Sequence, residues 1–333
     1  MRELALEHGV RLPDSLRSGA TPDLRATDER GWFRFQRLYD VARAVVRTEA
    51  DVRRLLREAA EDEAAEGSGW LEIQVDPTSY APRLGGLTPT MELILDAARD
   101  ASERTGVGVG VVVAANRTRH PLDARTLARI AAQHAGAGVV GFGLSNDERR
   151  GRAEDFAPAF RIAARAGLIG VPHGGELAGP GSVAACLDAL GAARIGHGVR
   201  SIEDPALVDR LAEAGTTLEV CPTSNLRLGV FDHPQQVPVA ALRAAGVSVA
   251  LGADDPLLFG SRLVEQYELA RHDLGMSDAA IADLARGSVR GSMAPEPLRE
   301  RLLTGIDAWL AADPAEPGDP ADAADGGRDP ARA

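Results

Sequence analysis

From residue 70 to the last predicted helix, short apolar runs alternate with segments in which apolar residues recur every three or four positions. Continuous apolar runs are typical of strands buried on both faces of a parallel sheet, and the amphipathic segments are typical of the helices that cover it. The pattern predicts strands at 70–76, 107–115, 139–144, 168–173, 194–198, 217–222 and 247–252. It predicts helices at 88–105, 122–135, 153–166, 181–190, 204–214 and 238–245, with closing helices at 262–274, 278–286 and 297–311.

This alternation predicts the α/β class, and polar residues cluster just after the C-terminal ends of the strands. A (β/α)₈ TIM barrel keeps its active site at that end. A doubly wound open sheet is the alternative, but it usually has a glycine-rich phosphate loop between its first strand and the next helix. The GVGVG stretch at 106–110 lies inside a predicted strand and opens no helix, so the barrel is favoured.

The predicted barrel has seven strands instead of eight, because no strand precedes residue 70. The first residues, RELALE, read as a helix that stops at His8-Gly9. We therefore expect one barrel domain over residues 1–312 whose first strand is missing from this chain. Residues 313–333, DPAEPGDPADAADGGRDPARA, have the low complexity of a disordered tail.

Composition narrows the class of function. A formal net charge of −12 argues against a nucleic-acid partner, which would need a basic face. No apolar run is long enough to span a membrane, and the first residues lack the apolar core of a signal peptide. The chain has only two cysteines, Cys186 and Cys221, which argues against a disulfide framework and against a cysteine zinc site. These features predict a cytoplasmic protein that acts on a small molecule.

Four predicted strand ends carry polar residues: His173-Gly-Gly-Glu176, His197, Asp254-Asp255 and the segment 145–148, SNDE. Taken singly, each histidine is most often structural, and the acidic or polar residues most often cap the next helix. Together they would converge on one mouth of a barrel. Imidazole and carboxylate on rigid strand ends are ligands for Zn²⁺, which lowers the pKa of a bound water. A neighbouring carboxylic acid could protonate a substrate, and the glycines at 174 and 175 would leave room for a flat ring.

The motifs HGGE, RIGHG, CPTSN and LGADDP, in this order and spacing, resemble the adenosine deaminase family over residues 1–311. That family consists of (β/α)₈ zinc hydrolases that replace the 6-amino group of adenosine with oxygen. By this resemblance, His173 and Asp254 bind one Zn²⁺, and Glu176 donates a proton to purine N1. His197 orients and deprotonates the attacking water, and Asp255 contacts N7. The five remaining histidines, which lie outside the motifs, are expected at the surface: His8, His120, His134, His233 and His272.

Three departures from the family pattern bear on function. The chain has no His-x-His motif, which supplies two further zinc ligands in the family, so we expect weak zinc binding by this chain. Asn146 stands where the family commonly has a substrate-contacting glycine, and Gly174 replaces an alanine. The segment 32–39, WFRFQRLY, resembles the family's lid helix but is more polar, through Arg34, Gln36 and Arg37. A solvated helix face explains those charges, and an anionic 5′ substituent on the substrate is the alternative.

The expected function is zinc-dependent deamination of a purine nucleoside, adenosine, with Asn146, Gly175 and Asp255 contacting the substrate. One alternative is deamination of 6-amino-6-deoxyfutalosine, which carries an aromatic acid at its 5′ end. A second is another metal-dependent amidohydrolase reaction, and a third is a non-catalytic barrel that lacks the His-x-His ligands. The spacing of Glu176 and the Asp254–Asp255 pair favour the purine.

Overall fold

The computed structural model describes residues 1–17 and 24–312, so the predicted tail lies outside the described residues. Seven parallel strands pair in chain order to form one sheet. They are β1 (Trp70–Val75), β2 (Gly108–Asn116), β3 (Val139–Ser145), β4 (Ile169–Gly174), β5 (Arg194–His197), β6 (Thr217–Val220) and β7 (Ser248–Leu251). All seven predicted strands are confirmed, and the described residues contain no eighth strand.

Helices connect consecutive strands and also precede and follow the sheet. Among the described residues, four helices precede β1: α1 (Arg2–Glu7), α2 (Asp14–Arg17), α3 (Glu29–Ala44) and α4 (Glu49–Ala65). The helices between strands are α5 (Leu87–Thr105), α6 (Pro121–Gln133), α7 (Ala157–Arg165), α8 (Pro180–Leu190), α9 (Pro205–Ala214), α10 (Pro222–Arg227) and α11 (Val239–Ala244). Those after β7 are α12 (Pro256–Phe259), α13 (Leu263–His272), α14 (Asp278–Gly291) and α15 (Glu296–Ala311). No described helix is long and apolar enough to cross a membrane.

The sheet curls into the seven-stranded part of a TIM barrel, as two contacts across its concave face demonstrate. In a flat sheet β1 and β5 would lie about 19 Å apart, at about 4.8 Å per strand. Instead, Glu72 of β1 forms a buried ion pair with Arg194 of β5. Nearer the C-terminal end, Gln74 Nε2 of β1 lies 3.3 Å from His173 Nε2 of β4. The curvature therefore brings the strand ends to one mouth, as the (β/α)₈ prediction requires.

Two details differ from the sequence prediction for physical reasons. Helix α14 continues past residue 286 to Gly291, because Gly287 does not end the helix but lies against β7. A Cβ at Gly287 would lie 2.3 Å from the carbonyl oxygen of Val249, so this contact requires glycine. His8, expected at the surface, is half-buried, and its Nε2 lies 2.8 Å from Asp51 Oδ2, which joins the end of α1 to α4. His134 is half-buried too, whereas His120, His233 and His272 are exposed as expected.

Candidate active site

His173 and His197 lie side by side at the ends of β4 and β5. Their ring centroids are 4.9 Å apart, and the rings meet edge to face. Gly196, the first glycine in RIGHG, is the strand partner of His173. A Cβ at Gly196 would lie 2.7 Å from His173 Cδ2, so this position requires glycine. His197 itself has a positive φ of 66°, a backbone conformation that residues other than glycine seldom adopt. This backbone strain is typical of functional sites.

Glu176 is buried beside His197, with 3.6 Å between Glu176 Oε2 and His197 Nε2. Its other oxygen, Oε1, is buried and has no hydrogen-bond partner among the described residues. Burial raises the pKa of Glu176 to about 7, although the neighbouring His197 opposes that rise. For His197, burial lowers the pKa, but the carboxylates of Glu176 and Asp254 outweigh it and the net shift is upward. Glu176 is thus poised to carry a proton near neutral pH.

Asp254 and Asp255 follow β7 at the same mouth. Asp254 has a positive φ of 60°, and its Oδ2 accepts a 2.6 Å hydrogen bond from Ser224 Oγ of α10. Asp255 precedes α12, but its side chain makes no capping hydrogen bond to that helix. Burial, reinforced by the charges of Asp254 and Glu176, holds the pKa of Asp255 well above its usual range. The pair therefore combines one hydrogen-bonded carboxylate with one carboxyl that favours the protonated form.

Two groups of side chains among the described residues could hold a metal ion, with donor atoms within 4.8 Å of one another. One comprises His173, Glu176 and His197, and the other His197, Cys221 and Asp254. Burial, then the charge of His197, lowers the pKa of His173 well below 6.5, which favours the neutral imidazole that binds metals. Burial raises the pKa of Cys221 well above that of a free thiol, which disfavours a thiolate ligand. Imidazole and carboxylate donors therefore fit Zn²⁺, although His173 and Asp254 fall in different groups.

The segment after β3 does not cap a helix, so that interpretation of SNDE was wrong. Residues 146–150 form a loop with a turn at 148–149, and Asn146 has a positive φ of 81°. Asn146 Nδ2 donates a 3.2 Å hydrogen bond to Gln36 Oε1 of α3. The carboxylate of Glu148 turns inward and accepts hydrogen bonds from the loop that carries Glu176. This segment therefore touches both the lid and the loop after β4.

The glycines of HGGE let helix α8 pack closely against the end of β4. A Cβ at Gly174 would lie 2.8 Å from Cys186 Sγ, and one at Gly175 would lie 2.4 Å from Val183 Cγ2. Both positions face α8, so the glycines make room for that helix. The φ of +72° at residue 175 also favours glycine, and the N–H of Gly175 donates a hydrogen bond to Glu148. Substrate contact by Gly175 therefore stays a prediction.

Helix α3 lies over the mouth as the lid resemblance predicts. Phe35 stacks on Phe259 of α12 at 5.9 Å between ring centroids, and Gln36 reaches Asn146. Tyr39 is close enough to Asp255 for that carboxylate to be the largest cause of its raised pKa. Arg34 and Arg37 are exposed, which agrees with the solvated helix face. The described contacts give no support to an anionic 5′ group as the reason for these arginines.

Sequence reasoning missed three polar residues that support the site. Gln74 lies beside His173 Nε2, and Arg117, buried at the end of β2, donates a 2.5 Å hydrogen bond to the His173 carbonyl. Ser224, within the CPTSN motif, hydrogen-bonds Asp254, a contact that the sequence did not predict. A polar residue inside a predicted buried strand, as Gln74 is, was the available signal. The contact partner of Arg117 is a main-chain oxygen, which leaves no mark in the sequence.

Comparison with known proteins agrees with this geometry. The profile of the family described as Adenosine deaminase matches residues 1–309. The chain belongs to the adenosine deaminase family. It is 63% identical over 308 residues to a "Putative adenosine/adenine deaminase" of Streptomyces virginiae, with 92% of this chain and 91% of that protein covered. The enzyme is therefore a hydrolase that removes an amino group from a purine.

Solved structures agree with the fold. An adenine deaminase from Arthrobacter aurescens superposes with a TM-score of 0.84 at 31% identity, covering 93% of this chain and 94% of that one. An Arabidopsis N6-mAMP deaminase gives 0.80 at 26% identity, with 92% of each chain covered. These relatives share the purine and differ in what is attached to it.

Proposed function

We propose that this enzyme deaminates free adenine, replacing the 6-amino group with oxygen to give hypoxanthine and ammonia, with adenosine as the second candidate substrate. The observation that carries the choice is the Gln36–Asn146 hydrogen bond of 3.2 Å. The side-chain amides of Gln36 and Asn146 meet between α3 and the end of β3. The family resemblance places glycine at position 146, so Asn146 adds side-chain volume there. A free base needs no space for a sugar at this contact.

The side chains supply the groups that this reaction needs. Glu176 would protonate N1 of the purine, which makes C6 electrophilic, and its raised pKa keeps that proton available near pH 7. Asp255, whose carboxyl favours the protonated form, would donate a hydrogen bond to the acceptor N7. His197, 3.6 Å from Glu176, would orient the attacking water and accept its proton. These roles are extended from the resemblance to the positions described above.

A Zn²⁺ ion fits the donor set, with His173 and Asp254 as its ligands in this chain. When bound, the ion would supply Lewis acidity and lower the pKa of a neighbouring water toward 7. Ser224 would hold the carboxylate of Asp254 in orientation, and Gln74 would contact the His173 ring. Loss of such a supporting contact typically costs 10- to 100-fold in metal affinity or activity.

The substrate proposal is tested with kcat/KM for adenine, adenosine and 6-amino-6-deoxyfutalosine, measured on the zinc-supplemented protein. We expect adenine to exceed both nucleosides by at least about 10-fold, within the range that pocket contacts can discriminate. A kcat/KM for adenosine equal to or above that for adenine would show that the nucleoside, and not the free base, is the substrate. Failure to release ammonia from any of the three would contradict the proposed function.

A variant pair isolates the lid contact. Asn146→Gly removes the amide pair, and its left-handed backbone suits glycine. We expect the ratio of kcat/KM for adenosine to that for adenine to rise about 10-fold. Arg34→Ala is the matched control, because Arg34 is an exposed residue of the same helix. An unchanged ratio in Asn146→Gly, or the same rise in the control, would remove the lid contact as the cause of specificity.

A further inference from the structure

Glu148 lies in the loop after β3, and its side chain enters the protein beneath the loop that follows β4. It is 8% exposed. Its Oε1 accepts hydrogen bonds from the N–H of Gly175 at 2.6 Å and from Ser182 Oγ at 2.7 Å. Its Oε2 accepts from the N–H groups of Glu176 at 2.8 Å, Leu177 at 2.5 Å and Ala178 at 3.1 Å. One carboxylate therefore binds four consecutive backbone amides and one hydroxyl.

Only an ionised carboxylate suits this arrangement. It only accepts, on both oxygens, and hydrogen bonds to a charged acceptor are about twice as strong as neutral ones. A glutamine of the same shape would turn an NH₂ group toward N–H donors, and these would repel one another. The loop therefore binds the side chain of Glu148 much as a nest of backbone amides binds an anion.

The loop held by Glu148 carries the proposed proton donor. Glu176 Oε1 has no hydrogen-bond partner among the described residues, and Oε2 has only His197 at 3.6 Å. The direct polar contacts of this carboxyl are thus too few to fix its position. Its main chain, in contrast, is fixed on both sides by Glu148. The conformation of the backbone therefore determines where the carboxyl points.

The opposite face of the same loop is held by carbonyl contacts. The Arg200 N–H donates to the Gly175 carbonyl at 2.9 Å, and Arg200 Nη1 donates to the Leu177 carbonyl at 3.2 Å. The N–H of Gly198, next to His197, donates to the Gly174 carbonyl at 2.8 Å. The loop is clamped from both faces, and Glu148 provides all the described acceptors for the amides of residues 175–178.

We propose that Glu148 is a positioning residue for catalysis, which sets the location of the Glu176 carboxyl by binding the backbone amides of residues 175–178. The inference rests on the proposed role of Glu176 as proton donor. It extends the catalytic apparatus to a residue 28 positions earlier in the chain, on a different strand end. The negative charge of Glu148 also helps to raise the pKa of Glu176, in the same direction as burial.

The test is the kinetics of Glu148→Gln with adenine. We expect kcat to fall about 10²-fold, the cost of a displacement of about 1 Å in a catalytic group. KM should stay within about threefold of the wild type, and zinc content should be unchanged. The amide hydrogens of residues 175–178 should exchange with solvent faster in the variant.

If Glu148→Gln does not fold, Glu148→Asp replaces it, since aspartate keeps the charge but is one methylene shorter. We then expect kcat to fall about 10-fold with KM preserved.

The matched control is Asp147→Asn, at the adjacent buried carboxylate. Asp147 pairs with Arg149 at 2.8 Å and makes no described contact with residues 175–178. We expect this variant to lose thermal stability while kcat stays within about threefold of the wild type. A kcat for Glu148→Gln or Glu148→Asp within threefold of the wild type would overturn the proposal. An equal loss of kcat in Asp147→Asn would also overturn it, because a general structural effect would then explain both.

Glu176→Gln separates this inference from the proposed function. If that variant keeps normal turnover, Glu176 is not the proton donor and both the role of Glu176 and the inference fail. If Glu176→Gln is inactive while Glu148→Gln is normal, the proposed function stands and only the positioning role fails.

Discussion

Single residues at the strand ends combine charge and burial in a way that suits acid–base chemistry. Glu176 and Asp255 are both carboxyl groups whose pKa is raised, mainly by burial. The sequence predicted which residues these are, because HGGE and LGADDP place them directly after apolar strands. It did not predict Glu148, whose partners are main-chain amides 27 to 30 residues away. Main-chain donors carry no residue signature, so such a contact appears only in the folded structure.

The raised pKa of Glu176 leads to a prediction about pH. A general acid acts in its protonated form, which is dominant below the pKa of about 7 and is lost above it. We expect kcat/KM for adenine to fall as pH rises through about 7, by about 10-fold for each unit well above it. Glu176→Gln should lower kcat by at least about 10²-fold at pH 6 and abolish this falling limb. A Glu176→Gln profile that still falls with an apparent pKa near 7 would assign the limb to another group.

At the scale of elements, short helices after the strands orient the site residues. Helix α10 follows β6 directly, and its Ser224 holds Asp254 of the next strand end. Alternating apolar and amphipathic segments predicted the strands to within two residues, because parallel strands buried on both faces leave a strong pattern. The sequence could not predict that Gly174 and Gly175 lie against α8, since glycine has no side chain whose polarity would indicate its surroundings. The same holds for the lid, where only packing decides that Arg34 faces solvent and Gln36 faces Asn146.

The α10 contact predicts the effect of removing one hydroxyl. Ser224→Ala deletes the 2.6 Å hydrogen bond to Asp254 Oδ2, so the carboxylate loses its orientation. Loss of such a supporting contact typically costs 10- to 100-fold, and we expect zinc affinity to fall about 10-fold. The measurement is competition for zinc with a chromophoric chelator. Thr223→Ala is the control, because the neighbouring Thr223 hydroxyl contacts Ser261 instead. Equal zinc affinity in Ser224→Ala and the wild type would show that Asp254 needs no support from α10.

At the scale of the whole molecule, opposite sides of the curled sheet are joined by a charged cluster. Arg194, the first residue of β5, pairs with Glu72 of β1 and with Glu219 of β6, the latter at 2.8 Å. Glu72 Oε1 also accepts a 2.6 Å hydrogen bond from the N–H of Met293, just after α14. Sequence periodicity predicted these strands as apolar and buried. It could not show that their three charges meet, because that depends on the closure of the sheet.

The cluster makes a prediction in which stability and activity separate. Arg194→Met removes the partner of two carboxylates, and breaking a buried pair costs about 3–5 kcal/mol of unfolding free energy. Burial alone raises the pKa of both glutamates, whereas Arg194 lowers it, so that Glu72 is lowered overall and Glu219 is raised. Without Arg194 the pKa of Glu219 should rise further above that of the unfolded chain, and the pKa of Glu72 should rise too, opposed by its hydrogen bonds from Met293 and Trp70. A carboxyl with a raised folded pKa contributes its stability below its unfolded pKa and loses it as pH rises. The variant should therefore lose more stability at pH 8 than at pH 5 in urea unfolding.

Adding Glu72→Gln and Glu219→Gln to Arg194→Met should restore much of the lost unfolding free energy. Arg194 and His197 are the first and last residues of β5 and make no described contact with each other, so the folded fraction at 25 °C should keep an ordinary kcat. A wild-type unfolding free energy at both pH values would show that the cluster does not hold the sheet closed.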